Sequence, residues 1–352
     1  MEPRAIIYFF TGTGNAACLA RIAAGDFERR GVRAAVSPIE SLRVHPAHGD
    51  ADLIGIVTPV LGFGLPQMAA RFLRRLPRGR GRKAFVIIAM GNAETVCVGR
   101  GRLSLPPTEG IAVLQSAFWL RLKGYSFSGA SALEMPTNWI MAVDPPDKER
   151  ASAMTERAAA AIGTFTGAVL AGTYTPGRAR ALAATCLFPL FAPVYLLFST
   201  LIRRIGGKWF TVTARCTQCG ACAAQCPQGT IRLRGGTPRW GWDCQQCYRC
   251  INLCPSGAIE VSGVAVLATC IPSVLIRWIS RLVTPVSHGH GRAAAVLLCL
   301  ALMAAAAWLV HALGARRPGG VPGWHLTRHR RRYREAHFDP SGFRSVGGEP
   351  LQ

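Results

Sequence analysis

The chain has 352 residues, half of them apolar, and 41 Lys and Arg against 18 Asp and Glu leave a formal charge of +23. That length suits two or three domains, and the apolar content excludes a disordered chain. The charge selects anionic partners (nucleic acid, anionic lipid or an acidic protein), and a mean hydropathy of +0.23 asks whether part of the chain meets a membrane.

The N-terminus runs directly into the apolar β-rich segment AIIYFF at 5–10, so no secretory signal is expected. TGTGNAACLARIAAGDF follows, which reads as strand, Gly-rich turn and helix. Such a turn presents hydroxyls and backbone N–H groups at a helix N-terminus, where a phosphate binds well. A P-loop is excluded because Gly-Lys-Ser/Thr is absent. A dinucleotide fingerprint can be traced through Gly12, Gly14 and Ala17, but no acidic residue closes the next strand at 32–36. T-G-T-G-N also matches a flavodoxin phosphate loop, with Thr11, Thr13 and Asn15 as side-chain donors. A tight strand–helix turn with no ligand is the plain alternative.

ADLIGIVTPV at 51–60 and KAFVIIAM at 83–90 read as buried strands, and 67–76 and 109–124 as helices. This alternation predicts a doubly wound parallel α/β sheet. Ligands of such sheets sit at the carboxyl ends of the strands. That edge includes Pro59, Phe63 and Gly64 in one loop and Gly91 and Asn92 in the next. Phe63 is the only aromatic in the two loops, either stacked on a flat ring or folded back on the core. His45, His48, Asp50 and Glu94 form no acid–base constellation that would define a catalytic site.

The segment 181–202 is uncharged but broken by Pro189 and Pro193, and reads as an interdomain or membrane-surface element. Then come CTQCGACAAQCP at 216–227 and CQQCYRCINLCP at 244–255, each with the spacing C-x2-C-x2-C-x3-C-P. Three thiolates two residues apart let one short loop bind three irons of a cubane, and in two-cluster ferredoxins the fourth ligand comes from the other run. One cluster is therefore assigned to Cys216, Cys219, Cys222 and Cys254, and the other to Cys244, Cys247, Cys250 and Cys226. Paired zinc sites fit less well, since they use separated C-x2-C pairs. These eight of the thirteen cysteines suit a reducing cytoplasm rather than a disulfide framework. Strand-like steps GTIRL at 229–233 and GAIEV at 257–261 follow the runs.

Beyond them, 264–283 is apolar but carries Arg277 and Arg281 and reads as interfacial. The run 293–310 has no charge over eighteen residues and is expected to be a transmembrane helix. Its alternative is a buried globular helix. The arginine-rich tail reads as a solvated, disordered basic extension, with anionic lipid as the next reading and nucleic acid a distant third.

TGTGNA, VTPVLGFGLPQ, EMPTNW at 134–139 and the paired cysteine runs together resemble the bacterial flavodoxin–ferredoxin fusion proteins, over roughly residues 4–262. The resemblance implies a flavodoxin-like domain at 1–175, a hydrophobic linker at 176–207 and a small α+β ferredoxin domain at 208–262 with two [4Fe–4S] clusters. FMN would be held by Thr11, Gly12, Thr13, Gly14 and Asn15. Two departures stand out: Ala16 replaces the Ser or Thr that often ends the phosphate loop, and the loop after Met90 lacks an aromatic. The remainder is read as an interfacial segment at 263–292, a membrane helix at 293–311 and a basic tail at 312–352. The expected function is electron transfer between flavin and clusters, with both domains on the cytoplasmic face of the membrane and a redox protein as partner. An oxidoreductase subunit with a defined substrate and a non-enzymatic redox sensor are the alternatives.

Overall fold

The computed structural model describes residues 4–41, 50–91, 96–98, 101–103, 109–140, 145–174 and 203–267, with single positions between 193 and 200 and between 298 and 309. His45, His48, Asn92, Glu94, the tail at 312–352 and most of the hydrophobic runs at 181–202, 264–283 and 293–310 lie outside the described residues. Among the described residues no helix is long and apolar enough to cross a membrane. The chain divides into two compact units, one built on Met1–Ser199 and one on Thr200–Arg328.

The first unit alternates strand and helix in chain order: β1 (Arg4–Phe9), α1 (Asn15–Arg29), β2 (Arg33–Pro38), β3 (Leu53–Pro59), α2 (Gln67–Arg75) and β4 (Lys83–Gly91). A small antiparallel hairpin follows, β5 (Val96–Val98) and β6 (Gly101–Leu103), then α3 (Ala112–Leu122), β7 (Ser126–Met135) and α4 (Lys148–Ala171). Every pairing in the five-stranded sheet is parallel, in the order β2-β1-β3-β4-β7. With the hairpin set aside this is the 2-1-3-4-5 order of flavodoxin-like folds.

Parallel strands are covered on both faces, which explains why β3 is buried along its whole length. Side chains alternate across β1. Ala5, Ile7 and Phe9 join Leu19, Ala23 and Phe27 of α1 and Ile162, Phe165 and Val169 of α4 in one core. Tyr8 points the other way and meets Phe72 of α2, with ring centroids 5.0 Å apart. Phe85 lies between Phe27 and Phe165, at 5.4 and 6.0 Å. Its ring crosses Gly55, directly opposite in register on β3, where a Cβ would come within 2.4 Å of it.

β7 and α4 have no counterpart in the sequence reading. β7 carries Ser126, Ser128, Gly129 and Ser131, a composition poor in strand formers, and it lies at the sheet edge. α4 is rich in alanine, which leaves its apolar stripe faint, but its caps are explicit. The Asp147 side chain accepts from the Arg150 N–H at 2.8 Å, and Gly172 closes the helix at φ 69°.

One polar cluster ties α1 to α4. Asp26, buried, accepts from Arg30 Nε at 2.7 Å, from Arg29 at 3.0 Å and from the Thr166 hydroxyl. Arg30 also donates to the Gly163 carbonyl oxygen at 2.7 Å. Burial alone would push the Asp26 carboxyl up, but the hydrogen bonds from Arg30, Thr166 and Arg29 outweigh it and hold the group below its ordinary 3.8.

In the second unit β8 (Phe210–Val212) pairs antiparallel with β11 (Ile259–Val261), and β9 (Ile231–Arg234) forms a hairpin with β10 (Thr237–Trp240). Short helices at Ala221–Ala224 and Arg249–Leu253 carry the third cysteine of each run, Cys222 and Cys250. The strand-like steps seen in the sequence are β9 and β11.

Asp26→Ala is expected to cost about 1–3 kcal/mol, because the partly buried donors lose their acceptor. A depressed folded-state pKa gives stability that is fully present above the ordinary carboxylate range and lost as pH falls through the folded value. Denaturation at pH 7 and at pH 3 checks this: the gap between wild type and variant should narrow at the lower pH.

Candidate functional site

The two cysteine loops of the second unit have matching backbones. Gln218 (φ 59°) and Gly220 (φ 75°) are left-handed in the first, and Gln246 (φ 53°) and Tyr248 (φ 59°) occupy the same places in the second. Such turns direct successive N–H groups into a concavity that attracts anionic atoms. Left-handed backbone costs a non-glycine residue roughly 1–2 kcal/mol, so Tyr248 is held by its surroundings. It is buried, with its ring 5.8 Å from that of Phe210.

Cys226 lines the same cavity as Cys244, Cys247 and Cys250, with Phe210, Ile231 and Trp240 in the wall. Cys222 lies close enough to Cys254, Cys216 and Cys219 to feel their charge. Cys226 of the first run is thus grouped with three cysteines of the second, and Cys254 of the second run lies near Cys222 of the first. Among the described residues no three His, Cys, Asp or Glu side chains close on a point suited to a single metal ion. A cubane asks for something else, since each thiolate binds a different iron and the sulfurs stand apart.

The donors around the sulfurs suit thiolates. Gln246 N–H points at Cys244 Sγ at 3.5 Å and Ala258 N–H at Cys254 Sγ at 3.3 Å. The buried Trp240 Nε1 has no conventional hydrogen-bond partner among the described residues, yet lies where it favours the Cys250 thiolate. Burial pushes the Cys244 thiol up to about 12, against the Gln246 N–H and the Arg203 guanidinium, and the Cys222 thiol up to about 11. Cys250 is raised for the same reason. A metal centre and nearby cations offset that cost, and the cations are present: Arg203, Lys208 and Arg249 are all buried. Lys208 Nζ donates to the Trp240 carbonyl oxygen and stands 4.7 Å from the Trp242 ring centroid. Burial draws its pKa down while Cys244 acts to keep it protonated. Arg249 stands inside the second cysteine run, whereas Arg203 and Lys208 lie well before it and are brought beside Cys244 by the fold.

The loops differ in exposure. Thr217, Gln218 and Cys219 are open to solvent, whereas Cys244, Gln245 and Gln246 are buried.

In the first unit the turn after β1 is shaped as an anion cradle. Gly14 caps α1 at φ 102°, its N–H donates to Thr11 Oγ1 at 3.0 Å, and the first turn of α1 holds no acidic residue. Thr11 and Thr13 are buried. Asn15 is engaged elsewhere: its Nδ2 donates to the Pro136 carbonyl oxygen at 2.7 Å, bracing the turn against the EMPTNW segment after β7. Pro59 ends β3, and its loop closes through paired Leu61–Gly64 hydrogen bonds of 3.0 and 3.4 Å. Phe63 is half-buried at φ 64°, with its carbonyl oxygen accepting from the Ile111 N–H at 2.8 Å. The aromatic lying directly on this loop is Tyr195. Its ring covers Gly64, where a Cβ would come within 2.2 Å, and its hydroxyl donates to the Leu65 carbonyl oxygen at 3.2 Å. Sequence reading missed Tyr195 because it belongs to the uncharged run at 181–202. Gly91 ends β4, facing Thr137 of the segment after β7. Trp139, 47% exposed in that segment, is a second aromatic the sequence reading left without a role.

Residues 208–255 match the family described as a 4Fe-4S dicluster domain. No curated protein matches the chain. Among solved structures, a Streptococcus pneumoniae TIGR4 flavodoxin is 18% identical over 48% of this chain and 97% of its own, with TM-score 0.33. A short-chain flavodoxin associated with a bacterial microcompartment is 14% identical over 49% and 100%, also at 0.33. The rubredoxin oxygen:oxidoreductase of Desulfovibrio gigas is 16% identical over 49% of this chain but only 38% of its own, at 0.32. These scores are low, and the flavodoxin-like fold is defined here by the chain's own strand order.

Gly220→Ala tests the left-handed turn. The new Cβ would meet only Leu233 Cδ1, at 3.5 Å, so its cost is conformational. Thermal unfolding of the purified full chain should show the second unit weakened by about 1–2 kcal/mol.

Proposed function

We propose that the chain is an electron-transfer protein with the arrangement of a flavodoxin–ferredoxin fusion: a flavin in the first unit, two [4Fe–4S] clusters in the second, and a membrane anchor near the C-terminus. The observation that carries this reading is the grouping of Cys226 with Cys244, Cys247 and Cys250 around one cavity, inside the stretch that matches a dicluster domain. A crossed fourth cysteine is what two adjacent cubanes need and what independent zinc sites do not. When bound, the clusters supply one-electron exchange and the flavin links it to two-electron chemistry.

The chain's own groups then hold and tune these centres. Arg203 and Lys208 offset negative charge around the Cys244 loop. The Gly14 turn offers N–H groups to a phosphate, while the loop carrying Phe63, with Tyr195 lying on it, supplies a wall for a flat ring. The anchor is read from the uncharged run at 293–310, where the described positions Leu298, Leu302, Trp308 and Leu309 are helical and exposed.

Reductive titration of membrane-extracted protein under anaerobic conditions tests the relay. A flavin and two clusters should take up about four electrons per chain, two for the flavin and one for each cluster. Uptake of about two would remove the flavin from the account. In Cys226→Ala, uptake should fall by the share of one cluster. Recovery of the full-length chain solely in the soluble fraction would remove the anchor.

A further inference from the structure

The hairpin of β9 and β10 sends Ile231 and Trp240 into the wall of the cysteine cavity, but its arginines have no part there. It carries Arg232 and Arg234 on β9, both exposed, and Arg239, half-buried, on β10. Arg232 and Arg239 are cross-strand partners, and the charge of Arg234 bears on Arg239. Like charges directly opposite each other destabilise a two-stranded ribbon, so the cluster is costly for folding. Within 203–267 the only acids are Asp243 and Glu260, against eight Lys and Arg, and Glu260 is taken by Arg215. Among the described residues neither Arg232 nor Arg234 has an acidic side chain within salt-bridge distance.

The hairpin's position gives these charges a use. Leu233, 44% exposed, lies beside Gly220, where a Cβ would meet its Cδ1 at 3.5 Å. At the turn, a Cβ on Gly236 would strike the Gln218 side chain at 2.2 Å. Gly220 and Gln218 flank Cys219, the exposed cysteine of the exposed loop. A basic, partly apolar ridge thus borders the one cysteine loop that is open to solvent.

We infer that this ridge docks an acidic redox protein, and that electrons enter or leave the chain through the Cys216–Cys222 loop beside it. The partner is a separate molecule, since a chain of +23 repels its own copies. The exchange passes one electron between the two proteins: one is oxidised, the other reduced, and no bond is made or broken. The inference rests on the electron-transfer reading, and iron and sulfide analysis of every preparation separates failure of that reading from failure of this one.

The test uses full-length, cluster-loaded protein reduced by dithionite, mixed in a stopped-flow instrument with a strongly acidic flavodoxin or, as the opposite-charge control, a basic cytochrome c. Wild type should transfer faster to the acidic acceptor at low salt, with a rate falling steeply as salt rises. The double variant Arg232→Gln, Arg234→Gln should lose about ten-fold in that rate at low salt and most of its salt dependence, with iron content unchanged and the cytochrome c rate not reduced. Equal rates for wild type and variant with the acidic acceptor would overturn the inference. So would an unchanged rate combined with lost binding to phosphatidylserine vesicles, which would assign the ridge to anionic lipid.

Discussion

A thiolate is costly to bury without a cation to answer it, and the second unit is organised around that constraint. Cys244 and Cys250 are buried deeply enough that their thiols would hold their protons in a metal-free interior. Neighbouring cysteines add to that cost, and four groups work against it: the Gln246 N–H, the Trp240 indole, the guanidinium of Arg203 and the ammonium of Lys208. The left-handed residues at 218, 220, 246 and 248 shape both loops alike, and at 246 the turn places the N–H on the Cys244 sulfur. The two loops share a backbone and differ in surroundings. One is enclosed with buried cations, the other faces solvent beside a basic hairpin, and this asymmetry gives a pseudo-symmetric pair distinct inner and outer members.

The first unit solves a different problem, that of placing a turn and two loops on one edge of a sheet. Its parallel order requires helices on both faces, and the Asp26 cluster locks α1 to α4 on one of them. The Gly14 turn is braced from the far side of the sheet edge by Asn15 and the Pro136 carbonyl oxygen. The cradle is therefore a joint property of β1 and of the segment after β7, 121 residues apart.

Much of this was legible because it is local. The spacing of Cys216–Cys226 and Cys244–Cys254 encodes loop geometry directly, and the apolar runs of β1, β3 and β4 encode burial on two faces. β7 was not legible, since an edge strand half open to solvent tolerates Ser126, Ser128 and Ser131. Nor was α4, whose alanines blur the stripe while its caps, Asp147 and Gly172, remain. Asn15 reads as an anion donor from its position in TGTGN, but the partner of its amide is set by tertiary structure. Tyr195 on Gly64 and the cations around Cys244 are likewise products of long-range packing.

The central claim is that one chain holds two crossed cubane sites and a flavin site. Anaerobic purification with iron, acid-labile sulfide and flavin measured on the same sample tests it most directly. The account predicts about eight iron and about eight sulfide per chain together with about one flavin. Two zinc ions in place of the iron and sulfide would contradict it.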